Sequence, residues 1–442
     1  MGGYNATLLI AYACLAIGIA MAAGPARGQG PMDAAVKSAV AEMGTELVRI
    51  RRHIHSHPEL SNREVETAKF VVQKLREFGF SAEDIRTGIA NNGVIALLQG
   101  TRARPVVAIR ADMDALPITE ATGLPYASEV TTEYAGKTVG VMHACGHDVH
   151  TAVLLGAAKT LHGMRNNVPG TVVFIFQPCE EGAPPGEEGG ASLMVTEGAL
   201  EDPRPDAFFA LHVSPEVEVG QLGYTSGPTC AAVDRLKITV RGASGHAAYP
   251  WLTHDPVVTA ARVISALQTV HSREVDTRQP SVVSIGIIEG GMRWNIIPDE
   301  VKLEGTVRTH NEEVRAFIKQ RIDEIVGGVC ESARCTAEVE WHAYGPALIN
   351  DPGLAEQVAT SLKRLVGEEN VVVLEPTMGG EDFAYFTQIA PGAFYHLGVR
   401  PKEVDEMAPL HNEKFAPDEG CLPLGVRSMC AVVLDYLEGS GQ

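Results

Sequence analysis

Between residues 143 and 150 the chain reads His143-Ala144-Cys145-Gly146-His147-Asp148-Val149-His150, and Glu180-Glu181 follows a short distance downstream. Imidazoles, a thiol and carboxylates are the side chains that hold divalent metals, and a spare carboxylate beside a metal is what activates water. Convergence of these groups in space would make a metal-dependent hydrolase. Adjacent side chains on an extended segment point opposite ways, so Glu180 and Glu181 are expected to do different jobs. One would bind metal while the other takes a proton from the metal-acidified water and passes it to a leaving amine. The competing reading is a solvated acidic loop, helped by Glu187-Glu188 nearby.

The elements that must position these groups are short apolar runs alternating with helical segments. Residues 93–98, 105–110, 171–176 and 207–211 read as buried strands, and 150–161 reads as a helix between two of them. Residues 32–52 carry apolar side chains at helical spacing, and 64–78 look like a second helix. Strand–helix alternation of this kind points to an α/β layer with a mostly parallel central sheet. Asp112 and Asp114 follow one strand, Glu180 and Glu181 follow another, and His212 ends a third. Sites in open α/β sheets form outside the carboxyl ends of strands. Three such ends carrying ligand-type residues are hard to explain by packing alone.

Near residue 228 the texture changes. Asp234 to Val240 alternates polar and apolar, as a half-exposed antiparallel strand should. A helix (256–271), two strands (281–288 and 300–308), a helix (312–329) and a last strand (336–341) follow. This β-α-β-β-α-β order is ferredoxin-like and suits a compact inserted α+β domain. After Tyr344 the chain returns to α/β texture and ends in a helix near 422–437. The expected division is therefore 1–30 as a leader, 31–227 and 344–442 as two parts of one catalytic domain, and 228–343 as an inserted dimerisation or lid domain.

The 442 residues allow two domains and a sizeable core. A formal net charge of −19 argues against nucleic acid, which needs a basic surface. Ala6 to Ala23 is apolar, is followed by Gly24-Pro25, and offers small residues at Ala20 and Ala22 for cleavage. It reads as a secretory signal, so the protein is expected to be secreted or periplasmic. The alternative is an uncleaved membrane anchor over 6–23, although the n-region lacks Lys and Arg and the run is slightly short for a span. No second stretch reads as long enough to cross a bilayer, so no stable membrane partner is expected. Cys14 would leave with the leader. Cys179, Cys230, Cys330, Cys335, Cys421 and Cys430 are open to disulfides or to burial as free thiols.

The octapeptide at His143–His150, together with Arg110-Ala-Asp-Met-Asp-Ala-Leu-Pro117, Phe176-Gln-Pro-Cys-Glu-Glu-Gly182 and Ser244-Gly-His-Ala-Ala-Tyr-Pro250, resembles the M20 metallopeptidase family. The likeness is to its amidohydrolase branch, subfamily D, which includes hippurate, N-acyl-amino-acid and auxin-conjugate hydrolases, and it covers essentially everything after residue 33. It implies a zinc-peptidase-like catalytic domain holding two divalent ions, Zn or Mn first, with Co or Ni also accommodated. Carried over by motif, Cys145 matches a bridging thiolate, and His147, Glu181, His212 and His411 match the other ligands. Glu180 matches the general base. Asp112 resembles an outer carboxylate that orients a ligand. His246 matches a donor that stabilises the oxyanion, often reaching the partner subunit's active site. Asn295 and Arg308 look like positions that hold a substrate carboxylate, a task suited to a bidentate guanidinium; a structural ion pair is the other reading of Arg308. The implied substrate is a small N-acyl amino acid or short peptide, and the implied assembly is a homodimer.

Three features invite over-reading. His53-x-His55-x-His57 looks metal-like, yet i and i+2 do not share a helix face. His150 opens a helix, so an outer or capping role suits it better than ligation. Glu381-Asp382 reads as support for the site. The Pro/Gly stretch Gly182–Gly190 is longer than in auxin-conjugate hydrolases, and it puts transfer of that particular substrate in question. Two other functions remain beside amide hydrolysis of N-acyl amino acids: a strict carboxypeptidase on peptides, and a non-catalytic metal- or peptide-binding protein. An intact Glu180 speaks against the last, since a binder has no need of a spare carboxylate.

Overall fold

The computed structural model describes residues 31–440; the leader expected over 1–30, with Cys14, lies outside the described residues. Eight strands form the principal sheet, in the spatial order Ile85–Ile89, Gly93–Gln99, Thr171–Gln177, Val106–Asp112, Ala207–Glu218, Gly392–Arg400, Leu222–Tyr224 and Val371–Val373. From Thr171–Gln177 to Gly392–Arg400 the neighbours run parallel, and antiparallel pairings flank them on both sides. The sheet is thus mixed, with a parallel centre. Val106–Asp112 and Thr171–Gln177 are buried along their whole length, as strands covered on both faces must be. One face packs against His147–Gly163, Leu422–Gly439 and the N-terminal helices; the other packs against Gly190–Thr196 and the segment around Phe383 and Phe386.

Two expectations about helices change. Residues 32–52 form two helices, Pro31–Glu42 and Gly44–Ser56, parted at Met43. Gly44 weakens the helix there, and the break lets the first half lie on Leu422–Gly439 and the second on His147–Gly163. The closing helix, taken as Glu419–Gly439, has 21 residues and by length and composition is long and apolar enough to cross a membrane, contrary to expectation. Here that apolarity serves the core, where its side chains meet the equally apolar His147–Gly163.

A second, four-stranded sheet has the spatial order Ser281–Gly290, Glu300–Thr309, Ala232–Arg241 and Thr336–Gly345, all antiparallel. With helices Pro256–Thr269 and Glu312–Ser332 on one face it is ferredoxin-like. Ala232–Arg241 alternates buried and part-exposed residues because only one face is covered. Asp255 and Asn311 cap the two helices by accepting backbone N–H groups of the first turn. The seven described cysteines are all buried free thiols.

Candidate metal centre

The loop after Met142, which bridges to Leu116, delivers Cys145 and His147 through a turn that only glycine fits. Gly146 has φ 87°, and a Cβ there would lie 2.4 Å from Val213 Cγ2. This turn starts the helix at His147, three residues earlier than expected, so His147, Asp148 and His150 share its first turn. His212 lies within a strand that runs on to Glu218, yet beyond Ala210, the last residue paired with Val106–Asp112. His411 arrives from far along the chain, fixed by its N–H donating to the Ala144 carbonyl at 2.9 Å. Glu180-Glu181 is not extended as expected. Cys179 takes a left-handed φ of 61°, and the two glutamates enter a turn in which both carboxylates approach one imidazole.

Cys145 Sγ lies 3.4 Å from His212 Nε2, and His411 Nε2 lies 3.1 Å from Glu181 Oε1. His147 Nε2 is 3.9 Å from Glu180 Oε2 and 4.0 Å from Glu181 Oε1. The donors fall into overlapping groups whose atoms lie within 4.8 Å of one another: Cys145 with His147 and His212, and Cys145 with Glu181 and His411. The thiol is common to both groups. His147 Nε2 is buried without a hydrogen-bond partner, a costly state that a cation relieves. Thiolate, imidazole and carboxylate at this spacing fit borderline-soft divalent ions.

Charge points the same way. Burial, then Glu181, Glu180 and Asp112, push the Cys145 thiol well up. Burial, then Glu381, Glu181 and Asp382, raise Glu180. Burial alone would lower His147, but the carboxylates of Asp112 and Asp114 hold its proton up to about 10. Thus the cluster carries more negative charge than its own cations offset, and a proton on His147 stands where a metal would.

The outer groups are distributed differently from expectation. Asp112 is 3.7 Å from His147 Nε2; its close bonds are to His150 Nδ1 at 2.6 Å and Arg110 at 2.6 Å. His147 is oriented by Asp114 instead, whose backbone oxygen and carboxylate lie 2.8 and 3.2 Å from Nδ1. His150 Nε2 accepts the Val213 N–H at 2.9 Å, so it steadies the backbone beside His212. Arg110 is fully buried and also grips Glu381 at 3.0 Å and Asp382 at 2.9 Å. Removing one partner of such a buried pair costs about 3–5 kcal/mol. Asp114 stands in the sequence only as one of several ligand-type residues at strand ends, and Arg110 has no role there. The available signal was a guanidinium ending an apolar strand, which has to find carboxylates.

A cavity of about 1110 Å³ opens over this cluster, between the two sheets. Cys145, Glu180, Glu181, His212 and His411 line it, and from the second sheet so does Arg308. Arg308 is paired with no carboxylate; its Nε donates to Thr306 Oγ1 at 2.8 Å, and burial lowers its pKa. The structural ion pair considered for it is therefore absent among the described residues. His246 and Asn295 do not line this cavity: His246 sits exposed on a two-residue pairing with Ile296, beside Asn295. Of the histidine triplet, His55 is buried against Asp148 at 2.8 Å and Glu120 at 3.1 Å, whereas His53 and His57 pack on each other with tilted rings, centroids 4.5 Å apart.

A mixed sheet that gathers such donors beyond its central strands defines a class of dinuclear metallohydrolases. Residues 108–435 match the model of Peptidase family M20/M25/M40, and the chain belongs to that family. It is 40% identical over 374 residues to N-acetyl-L-cysteine deacetylase of Bacillus subtilis, covering 85% of this chain and 84% of that protein. It is 37% identical over 402 residues to thermostable carboxypeptidase 1 of Saccharolobus solfataricus, covering 91% and 98%. A crystal structure of a dinuclear metal binding peptidase of the M20 family from Bacillus subtilis superposes with a TM-score of 0.76 at 35% identity, over 90% of this chain and 99% of that one.

Proposed function

We propose that the protein hydrolyses the amide bond of N-acyl amino acids or short peptides and releases a free amino acid. The observation that carries this is Glu180: its carboxylate lines the cavity, 3.9 Å from His147, and lies outside both thiol-sharing donor groups. Cys145, His147, Glu181, His212 and His411 hold the two ions, with Zn or Mn the best match to this donor set. When bound, the ions polarise the scissile carbonyl and acidify water. Glu180 takes the proton of the attacking water and returns it to the leaving amine. The unpaired guanidinium of Arg308 receives the substrate carboxylate.

His246 and Asn295 complete the site from a second copy. The support is the apolar surface around them, where Trp251, Ile288, Met292 and Trp294 are 69, 63, 104 and 89% exposed. Disruption of a dimer by Met292→Asp, read by light scattering, tests this. Secretion rests on the apolar run Ala6 to Ala23.

Chelator-treated protein reloaded with Zn, Mn or Co and offered N-acetyl and N-benzoyl amino acids and dipeptides separates acylase from strict carboxypeptidase. Glu180→Gln should lower kcat about 10²- to 10⁴-fold with both ions retained. Undiminished turnover by that variant would refute Glu180 as the group that moves the proton.

A further inference from the structure

We propose that the tripeptide Asn62-Arg63-Glu64 is a clamp that fixes both ends of the segment carrying Glu180 and Glu181. In this role its residues are positioning residues for the pair and for the cavity wall that follows it. The tripeptide leads into the helix Val65–Glu77. Glu64 is completely buried and grips the first end: one carboxylate oxygen accepts the Cys179 N–H at 2.8 Å, and the other accepts Asn92 Nδ2 at 3.2 Å. Cys179 is the residue with left-handed φ immediately before Glu180, a conformation that surrounding contacts have to hold in a non-glycine residue.

The second end is held by the other two residues. Asn62 Nδ2 donates to Glu187 Oε2 at 3.1 Å and to the Glu188 carbonyl at 3.0 Å. The Arg63 guanidinium forks onto both Glu187 oxygens at 2.9 and 2.6 Å. The two ends also meet each other, because a Cβ on Gly189 would lie 2.6 Å from both Asn62 Oδ1 and Cys179 Sγ. Between the grips, Glu180 to Gly186 all face the cavity, including Pro184-Pro185, and Gly182 stands opposite Tyr344. A loop tied at its neck in this way sets its first residues rigidly, while its apolar tip shapes the space beside them.

The substrate consequence rests on the amide-hydrolase reading above: the tied tip forms a wall suited to a bulky acyl group, such as benzoyl, more than to acetyl. Two readouts keep the clamp and that reading apart. The first is hydrogen exchange of residues 179–188 in the full-length protein. Glu64→Leu should lose protection there, and Glu64→Gln should regain it, since its amide oxygen still accepts the Cys179 N–H. Arg63→Ala, at a solvent-exposed ion pair that the core does not need, should lose protection at 186–188 only. The second is kinetic. Glu64→Leu should lower kcat about 10- to 100-fold for every acyl group, as loss of an outer partner does, with KM little changed. Arg63→Ala should instead lower the kcat/KM ratio of N-benzoyl over N-acetyl substrates several-fold. Unchanged exchange in both variants, or Gln as damaging as Leu at position 64, would overturn the clamp. A wild type that cleaves no amide, with the exchange pattern as expected, would overturn the enzymatic reading and leave the clamp standing.

Discussion

Replacing Asp114 with asparagine tests how the site orients its metal ligands. The buried carboxylate faces three donors: Oδ1 is 3.2 Å from His147 Nδ1, while Oδ2 accepts Ser61 Oγ at 2.7 Å and the Glu181 N–H at 3.0 Å. Asparagine keeps the volume but brings one acceptor and two donor hydrogens. Turned to satisfy Ser61 and Glu181, its amide points N–H at a ring nitrogen that already has to donate to the Asp114 carbonyl, 2.8 Å away. Turned the other way, it meets the Glu181 N–H. In either pose one charge-assisted bond to a proposed ligand residue is lost, a cost of about 1.5–3 kcal/mol. Charged to metal binding, that is about a 10- to 100-fold weaker affinity, since about 1.4 kcal/mol is tenfold. Calorimetric titration of chelator-treated protein with zinc or manganese, with circular dichroism confirming the fold, measures it. Wild-type affinity for both ions in Asp114→Asn would refute the reasoning.

Arg308→Ala should raise KM for an N-acyl amino acid about tenfold or more, from loss of a charge-assisted bond of about 1.5–3 kcal/mol, and should leave the corresponding C-terminal amide unaffected; steady-state kinetics on the two substrates decides it. His143 is buried with neither ring nitrogen bonded, and burial lowers it to about 4. An unfolded histidine titrates near about 6.5, so between these values the unfolded chain binds the extra proton. This contribution to stability is therefore complete above pH 6.5 and is lost as pH falls toward 4, visible as a falling urea midpoint that His143→Phe should flatten. Metal binding at pH 7 should release protons, because His147 is held up to about 10 and the Cys145 thiol is pushed up by burial and neighbouring carboxylates. Calorimetry in buffers of different ionisation enthalpy counts them, and a buffer-independent heat would contradict the charge argument.

What could be read from the chain was what short-range pattern controls. Strands such as Thr171–Gln177 announce themselves because burial on both faces demands an unbroken apolar run. The ferredoxin-like order was legible because alternation in Ala232–Arg241 marks a half-covered sheet. The cluster at Cys145 and His147 was visible as residue types, while His411 entered through a family motif, since no local pattern foretells that its backbone will bond to Ala144. The break at Met43 and the strand continuing past His212 were lost because tertiary contacts decide them. Asp112 attracted the orienting role that Asp114 fills because both follow one strand; which of two aspartates meets His147 depends on where the chain leaves the sheet.

The division of labour between Glu180 and Glu181 illustrates the same limit. Alternation along an extended strand would have separated them by direction, but the turn at Cys179 sends both toward His147. Their surroundings separate them instead. Glu181 lies beside His411 and in the group that shares Cys145, so it belongs with the donors. Glu180 lies beside Glu381 and Asp382, and burial together with those like charges raises its affinity for a proton. Arg110, bonded to both of these residues, limits the rise. Paired carboxylates take different catalytic roles when their environments push their proton affinities apart. The segment around Glu381, some two hundred residues downstream, therefore supports the proposed role of Glu180 as a base rather than a further ligand.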